Sequence, residues 1–241
     1  MPGVDRPPRP RDAEATRTAI LKAAEEIFAQ EGFAAARVDA IAARAGYNKS
    51  LLFQYFGDKL GLYQAIVKRT KEHLDHQFEP FLTAFAANPG AARDPGQVRE
   101  FIATAVRWIF DYYVEHPNFL RILAWEAADG WRTFNELHAA EEPMRWLQPA
   151  ETLLRQIQAA HLVRPGLDVR FVVNMIAALS RQYLISLPAY QNETPEIDLS
   201  SASALTQARE QIVMWVLNAV MAAPDTARAK RGPSQRKRRA K

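Results

Sequence analysis

The stretch that decides the fold is Val38–Phe56, which reads VDAIAARAGYNKSLLFQYF. Apolar residues recur at helical spacing on both sides of Gly46, and the glycine favours an end to the first helix. Asn48 is a good N-cap for a second helix, in which Leu52 and Phe56 lie four residues apart and face inward. Two short helices joined by so tight a turn are typical of a helix-turn-helix, whose second helix enters the major groove of DNA.

The side chains of the second helix that point away from Leu52 and Phe56 suit contacts with DNA. They lie near the start of the helix, where the residues of such a helix meet base edges. Lysine, serine and glutamine side chains bond both base edges and phosphates. The outward residues are Lys49, Ser50, Phe53 and Gln54.

Helical periodicity continues through the rest of the chain, and no convincing alternating pattern of a β-strand is present. The sequence therefore predicts an all-α fold of about nine helices. Asp58 and Asp168 are predicted N-caps. Glycine and proline set other limits, and among the predicted helices are 12–30, 59 to about 78, 143–160, 169–187 (stopped by Pro188) and 199–223.

Composition narrows the functional classes. The 241 residues include no cysteine, which excludes disulfides, thiolate zinc sites and thiol catalysis. The first twelve residues lack the apolar segment of a signal peptide, and no apolar run is long enough to span a membrane, so a cytoplasmic protein is expected. The net charge of +4 owes much to residues 226–241, which hold 8 of the 31 basic residues and none of the 27 acidic ones. The overall charge is therefore weak evidence for DNA binding.

The segment from about Thr16 to Val67 resembles the DNA-binding domain of the TetR (tetracycline-repressor) family. The matching pieces are AILKAA at 19–24, Phe28, EGF at 31–33, VDAIA at 38–42, AG at 45–46 and FQYFGDK at 53–59. The resemblance implies a homodimeric transcription regulator that binds double-stranded operator DNA and a small-molecule effector. The expected regulator is a repressor that leaves its operator when the effector binds. No cofactor, metal, membrane or catalysed reaction is expected.

The resemblance also assigns roles to single positions. Asn48, Lys49, Ser50 and Phe53 match base-reading positions, although Phe53 replaces the family's usual tyrosine. Arg37, Tyr55 and Lys59 match positions that commonly meet the DNA backbone. The predicted DNA-binding residues are Arg37, Asn48, Lys49, Ser50, Phe53, Gln54, Tyr55 and Lys59.

The predicted organisation has four parts. Residues 1–12 are expected to form a disordered arm, 13–76 the three-helix helix-turn-helix DNA-binding domain, 77–223 a larger helical effector-binding and dimerisation domain, and 224–241 a basic disordered tail. The soft boundary rests on the Pro- and Gly-rich segment 86–95, although the fourth helix is expected to cross into the second domain.

Aromatic residues cluster between 108 and 146, and a mostly apolar pocket with a few polar groups is typical of a small-molecule site. The charge of the effector stays open, because the arginines favour an anion and Glu126 favours a cation or a donor. The candidate effector-binding residues are Trp108, Tyr112, Arg121, Trp125, Glu126, Trp131, Arg181 and Tyr183.

The last two long helices are apolar over a wide arc, so each needs cover on two sides. One side is expected to pack on its own domain and the other on an identical pair of helices, which gives a two-fold symmetric four-helix interface. The candidate interface residues are Val172, Ile176, Leu179, Tyr183, Ile212, Trp215, Val216 and Ala219.

Three alternatives remain from the sequence. A helical adaptor of the same fold would bind protein partners without binding an operator. The basic tail, with RKRR at 236–239, would by itself support only nonspecific DNA binding. An enzyme is the third, and its best candidate feature is a metal held by His73 and His76, which lie three residues apart.

Overall fold

All regular secondary structure among the described residues is helical. The computed structural model describes residues 10–88, 90–138 and 144–222. The all-α class is confirmed there, and the β-type pairing found in this part is one isolated bridge between Val163 and Met221. The α-helices are α1 (Pro10–Ala35), α2 (Val38–Ala45), α3 (Lys49–Phe56), α4 (Lys59–Ala86), α5 (Pro95–Glu115), α6 (Pro117–Ala128), α7 (Arg132–His138), α8 (Leu147–Ala159), α9 (Val169–Glu193) and α10 (Ala202–Val220), and a 3₁₀ turn covers Ala91–Arg93.

The three predicted N-caps are short polar side chains at the starts of their helices. Asn48 accepts a hydrogen bond from the backbone N–H of residue 51 at 2.8 Å, and Asp58 accepts one from residue 61 at 2.7 Å. Asp168 accepts one from residue 171 at 3.0 Å. Each bond satisfies a backbone donor that the first turn leaves without a partner. The predicted caps are therefore confirmed.

Helix α4 runs on past its predicted end near residue 78, so that prediction is wrong. Pro80 removes one helical N–H and normally disfavours a helix interior. The cost is offset by burial on both sides of the proline, since Phe78 and Leu82 both lie in the core. The predicted boundary at residue 76 falls inside this one helix and stays a prediction.

Helix α9 continues through Pro188 to Glu193, so the predicted stop at 187 is also wrong. The last turn is held by the side chain of Gln191. Its amide N–H groups donate to the carbonyls of Thr194 and Ile197, and its oxygen accepts from the backbone of Leu199 at 2.8 Å. These bonds fasten the turn to the loop that follows, which compensates for the bond lost at the proline.

Other predicted limits shift by a few residues. Helix α1 begins at Pro10, within the predicted arm, because proline is tolerated in a first helical turn. The last helix begins at Ala202 instead of Leu199, since Ser201 is its cap. Helix α8 begins at Leu147. The predicted helix start at residue 143, the predicted helix end at 223, the arm up to residue 9 and the tail from 224 lie outside the described residues.

The buried side chains form two hydrophobic clusters. One, the N-terminal core, contains residues of α1, α2, α3 and α4 together with Ile122 of α6 and Leu137 of α7. The other joins α4 with the later helices. Helix α1 packs directly against α6, so the N-terminal helices rest on the second group. No helix in the described ranges is long and apolar enough to cross a membrane.

Candidate functional site

The turn between α2 and α3 is set by a glycine and a cap. Gly46 adopts a left-handed conformation (φ 76°, ψ 23°), which glycine accepts without steric cost. Its N–H bonds to the Ala43 carbonyl at 3.3 Å, and the N–H of Tyr47 bonds to the Ala42 carbonyl at 3.1 Å. Helix α2 therefore ends within one turn, and the Asn48 cap starts α3 at once.

Helix α3 buries one side and exposes the other. Leu52 is 2% exposed and packs in the N-terminal core with Ile41 of α2. Phe53 is 40% exposed although it is a large apolar residue. The predicted outward residues and the cap all lie on the exposed side of the helix: Asn48, Lys49, Ser50, Phe53 and Gln54.

Lys49 lies on this exposed face beside Asp39 of α2. Its ammonium is 3.0 Å from an Asp39 carboxylate oxygen and 5.9 Å from the centroid of the Phe53 ring. Both members of the ion pair are largely exposed, where such a pair contributes little to stability. A DNA phosphate or base edge can therefore take the place of Asp39 at small cost.

The three predicted backbone contacts differ in their surroundings. Arg37 is exposed at the start of α2, and its side chain does not cap that helix. Tyr55 is half-buried against Phe56. Lys59 donates to the carbonyls of residues 33, 34 and 36 at 2.7, 3.2 and 3.1 Å. Its three ammonium protons thus stabilise the end of α1, and a phosphate contact, which would compete with these bonds, stays a prediction.

A cavity of about 660 Å³ lies among helices α4 to α9. Its walls are mostly aromatic and aliphatic, with a few polar side chains, which is the composition of a small-molecule site. The structure brings four of the predicted effector residues together on its wall. These are Trp108, Tyr112, Trp131 and Arg181.

The other four predicted effector residues do not line this cavity. Arg121 is exposed on α6. Tyr183 packs against the rings of Phe110 and Tyr190 on the far side of α9. Trp125 and Glu126 face the N-terminal helices.

Trp125 holds α6 against the end of α1. Its indole N–H donates to the Ala29 carbonyl at 3.2 Å. Its ring covers Gly32, where φ is 74°, so closely that an added Cβ would lie 3.0 Å from a ring carbon. The backbone conformation therefore favours glycine at this position, and an added Cβ would also require the Trp125 ring to shift by a few tenths of an ångström.

Glu126 joins the two hydrophobic clusters. It is 3% exposed, and its carboxylate accepts from the Tyr63 hydroxyl at 2.8 Å and from the backbone N–H of Phe134 at 3.2 Å. Burial and the neighbouring carboxylate both raise the pKa of Tyr63, so the hydroxyl stays a donor. Tyr63 lies in the N-terminal core, and Phe134 lines the cavity.

The charged groups of the cavity wall are cationic. Lys71, Arg170 and Arg181 line it, and none of the described lining residues is acidic. Arg170 is paired with Glu151 at 3.0 Å. Arg181 lies over the Trp131 ring at 5.5 Å, and its charge opposes the rise that burial gives the pKa of Tyr113.

Sequence reasoning missed the wall that α4 contributes. Its cavity-lining residues recur at helical spacing and begin at Val67, where the segment that resembles the TetR DNA-binding domain ends. The signal was the continuation of that spacing past the expected domain boundary. The missed residues of α4 are Thr70, Lys71, Leu74 and Phe78.

The candidate metal pair does not form a metal site. His73 lies against the rings of Tyr112 and His116, and burial lowers its pKa, with the two neighbouring histidines adding to the effect. Within the described ranges, no group of three or more His, Cys, Asp or Glu side chains is arranged to hold a metal ion.

Several large apolar side chains of α9 and α10 are exposed. Trp215 is 62% and Phe171 59% exposed, and they are joined by Met175, Leu179 and Met214. We refer to these five residues as the α9–α10 face. Of the predicted interface residues, Ile176 and Val216 are buried in the core of the same chain, whereas Leu179, Trp215 and Ala219 are exposed and Val172, Tyr183 and Ile212 half-buried.

Comparison with known proteins identifies the family. Residues 20–66 match the family model described as bacterial regulatory proteins of the tetR family, and residues 99–216 match that of the tetracycline repressor-like C-terminal domain. The chain belongs to the TetR family. It shares 35% identity over 182 residues with the transcriptional repressor NicS of Pseudomonas putida, covering 73% of this chain and 78% of NicS.

Two further similarities agree with this TetR-family assignment. A helix-turn-helix-type transcriptional repressor of Streptomyces coelicolor is 34% identical over 175 residues, covering 73% of this chain and 77% of the relative. The crystal structure of the Bacillus subtilis regulator FadR with stearoyl-CoA covers 81% of this chain and 97% of its own, with a TM-score of 0.54 and 19% identity, which shows a shared fold. The chain is a helix-turn-helix transcriptional regulator of this family.

Proposed function

We propose that this TetR-family regulator is a homodimeric repressor in the bacterial cytoplasm. It binds double-stranded operator DNA through α3 and leaves the operator when a small molecule occupies the cavity. The observation that carries the proposal is the position of Glu126. One buried carboxylate bonds the N-terminal core through Tyr63 and the cavity wall through Phe134.

The exposed face of α3 supports the DNA-binding part. Its polar side chains and the Phe53 ring lie at the N-terminal end of an exposed helix, where major-groove contacts are made. Lys49 has only an exposed ion pair to exchange for DNA. Arg37 lies one helix away and is available for the DNA backbone. Both curated relatives described above are named repressors, which favours repression over activation.

The α9–α10 face supports the homodimer. Five large apolar side chains on two neighbouring helices form a patch of the kind that marks a protein interface. A second copy placed on this patch by a two-fold axis would bury the same residues on both sides. Two copies are also what operator DNA requires, since its half-sites lie about 34–36 Å apart. We accordingly place the dimer contact on Phe171, Met175, Leu179, Met214 and Trp215.

Buried contacts support the ligand response. A molecule that fills the cavity touches Trp131 and Phe134, which flank the start of α7. A shift of α7 moves the Phe134 N–H that Glu126 accepts, and Glu126 is bonded in turn to α4. Because the interior is closely packed, such a shift is passed on to the N-terminal helices instead of being absorbed.

Operator binding is the test. Purified protein is titrated against labelled DNA from upstream of its own gene, at physiological salt and with random-sequence competitor. The wild type should bind tightly, Lys49→Ala should bind about tenfold or more weakly, and a chain ending at residue 222 should keep its sequence preference. Exposed Gln156→Ala on α8 is the matched control and should bind like the wild type. Binding that disappears with the tail would contradict the proposal and favour an adaptor.

A further inference from the structure

The residues that line the cavity indicate the chemical class of the effector. This step rests on the proposed function, because it takes the cavity to be the effector site. Two properties of the wall decide the class. One is the sign of its charges and the other is the shape of its apolar surface.

The charges select an anion. Among the residues that the structure describes, three cationic side chains and no acidic one line the cavity. Glu126, the carboxylate that could have favoured a cation, is occupied by Tyr63 and Phe134 and does not line the cavity. Arg170 is neutralised by Glu151. Arg181 is half-buried, and no ion pair reaches it from any residue that the structure describes.

Arg181 is also held ready for a ligand. Its guanidinium lies over the Trp131 ring at 5.5 Å, on the same cavity wall as Tyr113. The contact with the ring orients a group that has five N–H donors, so donors remain for a ligand. A planar fork of this kind matches the two oxygens of a carboxylate. In an apolar surrounding the attraction is stronger than it would be in water.

The apolar surface selects a flat body. The Phe78 and Trp108 rings meet edge to face with centroids 4.5 Å apart, and Trp108 stacks on Tyr112 at 5.4 Å. Trp131 and Phe134 meet at 5.8 Å in the same wall. Ring faces and edges arranged in this way interact with another aromatic ring beyond what burial of area alone contributes, whereas an alkyl chain gains the area alone.

We propose that the cavity binds an aromatic carboxylic acid as its carboxylate, with the acid group on Arg181 and the rings among Trp108, Trp131 and Phe134. The volume of about 660 Å³ accommodates a molecule of two or more rings. The effector is thus an organic monoanion with a flat apolar body.

Calorimetric titration of the full chain without DNA tests the class. The probes are biphenyl-4-carboxylate, its neutral carboxamide and dodecanoate, a linear acid. The expected result is that biphenyl-4-carboxylate binds at least about tenfold more tightly than the carboxamide and more tightly than dodecanoate. Equal binding of acid and carboxamide, tighter binding of dodecanoate, or no binding of the aromatic acid at millimolar concentration would overturn the proposal. This comparison needs no substitution.

Substitution of the arginine assigns the contact. Arg181→Gln should lose the preference for acid over carboxamide, whereas Arg99→Gln, on an exposed part of α5 away from the wall, should keep it. A preference retained in a folded Arg181→Gln protein would overturn the assignment.

Operator release is measured separately with the same acid. Binding without release supports the ligand class and contradicts the proposed response. Release by other molecules without binding of the acid supports the proposed response and contradicts the ligand class.

Discussion

At the contact between α1 and α6, the side chain of Trp125 lies directly on the backbone of α1. The Trp125 ring is both bonded to the Ala29 carbonyl and pressed against Gly32. Gly32 has φ 74° and ψ 169°, a backbone region that is essentially open to glycine alone. Gly46 also has a positive φ, yet a Cβ there would meet no atom within 4 Å. Comparing substitutions at the two glycines therefore separates the cost of backbone strain from the cost of the clash with Trp125.

Replacing Gly32 by alanine is expected to lower the free energy of unfolding by about 2–4 kcal/mol, because strain and the clash with Trp125 add together. Gly46→Ala should cost only about 1 kcal/mol, since its backbone is in the milder left-handed region. Urea unfolding measures both. Adding Trp125→Ala to Gly32→Ala should recover part of the loss. If the double variant shows only the sum of the two single losses, the ring does not press on Gly32.

Among the helices, α4 shows most clearly what the sequence can and cannot predict. The caps and the turn around Gly46 were predictable because Asn48 and Asp58 act on backbone groups three residues away. The end of α4 was not, because Pro80 is tolerated through burial of Phe78 and Leu82 against helices distant in sequence.

The site divides in the same way. The exposed side of α3 follows from periodicity within eight residues. The destination of Trp125 and Glu126 depends on how α6 is placed against α1, and no local pattern encodes that placement. In the sequence, a glutamate or a tryptophan that faces a ligand cannot be distinguished from one that faces another helix.

The α9–α10 face predicts a change of oligomeric state. Trp215→Arg places a charge on the α9–α10 face, which a second copy would bury across a two-fold axis. Sedimentation should show a dimer for the wild type and a monomer, or an affinity between subunits weakened about a hundredfold, for the variant. Gln156→Arg adds the same charge on exposed α8 and should remain dimeric. A dimeric Trp215→Arg protein would place the interface elsewhere.

At the scale of the whole molecule, the exposed face of α3 and the cavity are connected through few groups. Helix α4 has 28 residues and thus extends about 42 Å, with α3 before its first turn and the cavity along its middle. Helix α6 touches α1 on one side, and its Glu126 reaches α4 and α7. The path between the two sites is therefore short and buried.

Glu126→Gln should separate ligand binding from DNA release. The amide has the size of the carboxylate but loses its charge and one of its two acceptor atoms, so either the Tyr63 or the Phe134 bond weakens. Biphenyl-4-carboxylate should bind the variant within about threefold of the wild type, since Glu126 does not line the cavity. The concentration needed to release the operator should rise about tenfold, measured by anisotropy. An unchanged release curve would remove Glu126 from the coupling.

The five tryptophans of the chain are divided among the three surfaces described above. Trp108, Trp131 and Trp146 line the cavity, Trp125 covers Gly32, and Trp215 stands on the α9–α10 face. Indole emission responds to the polarity around the ring, so each event should leave its own optical signature. Variants that retain a single tryptophan would then act as built-in reporters of effector entry, interdomain movement and subunit pairing. The protein thus carries the parts of a label-free biosensor.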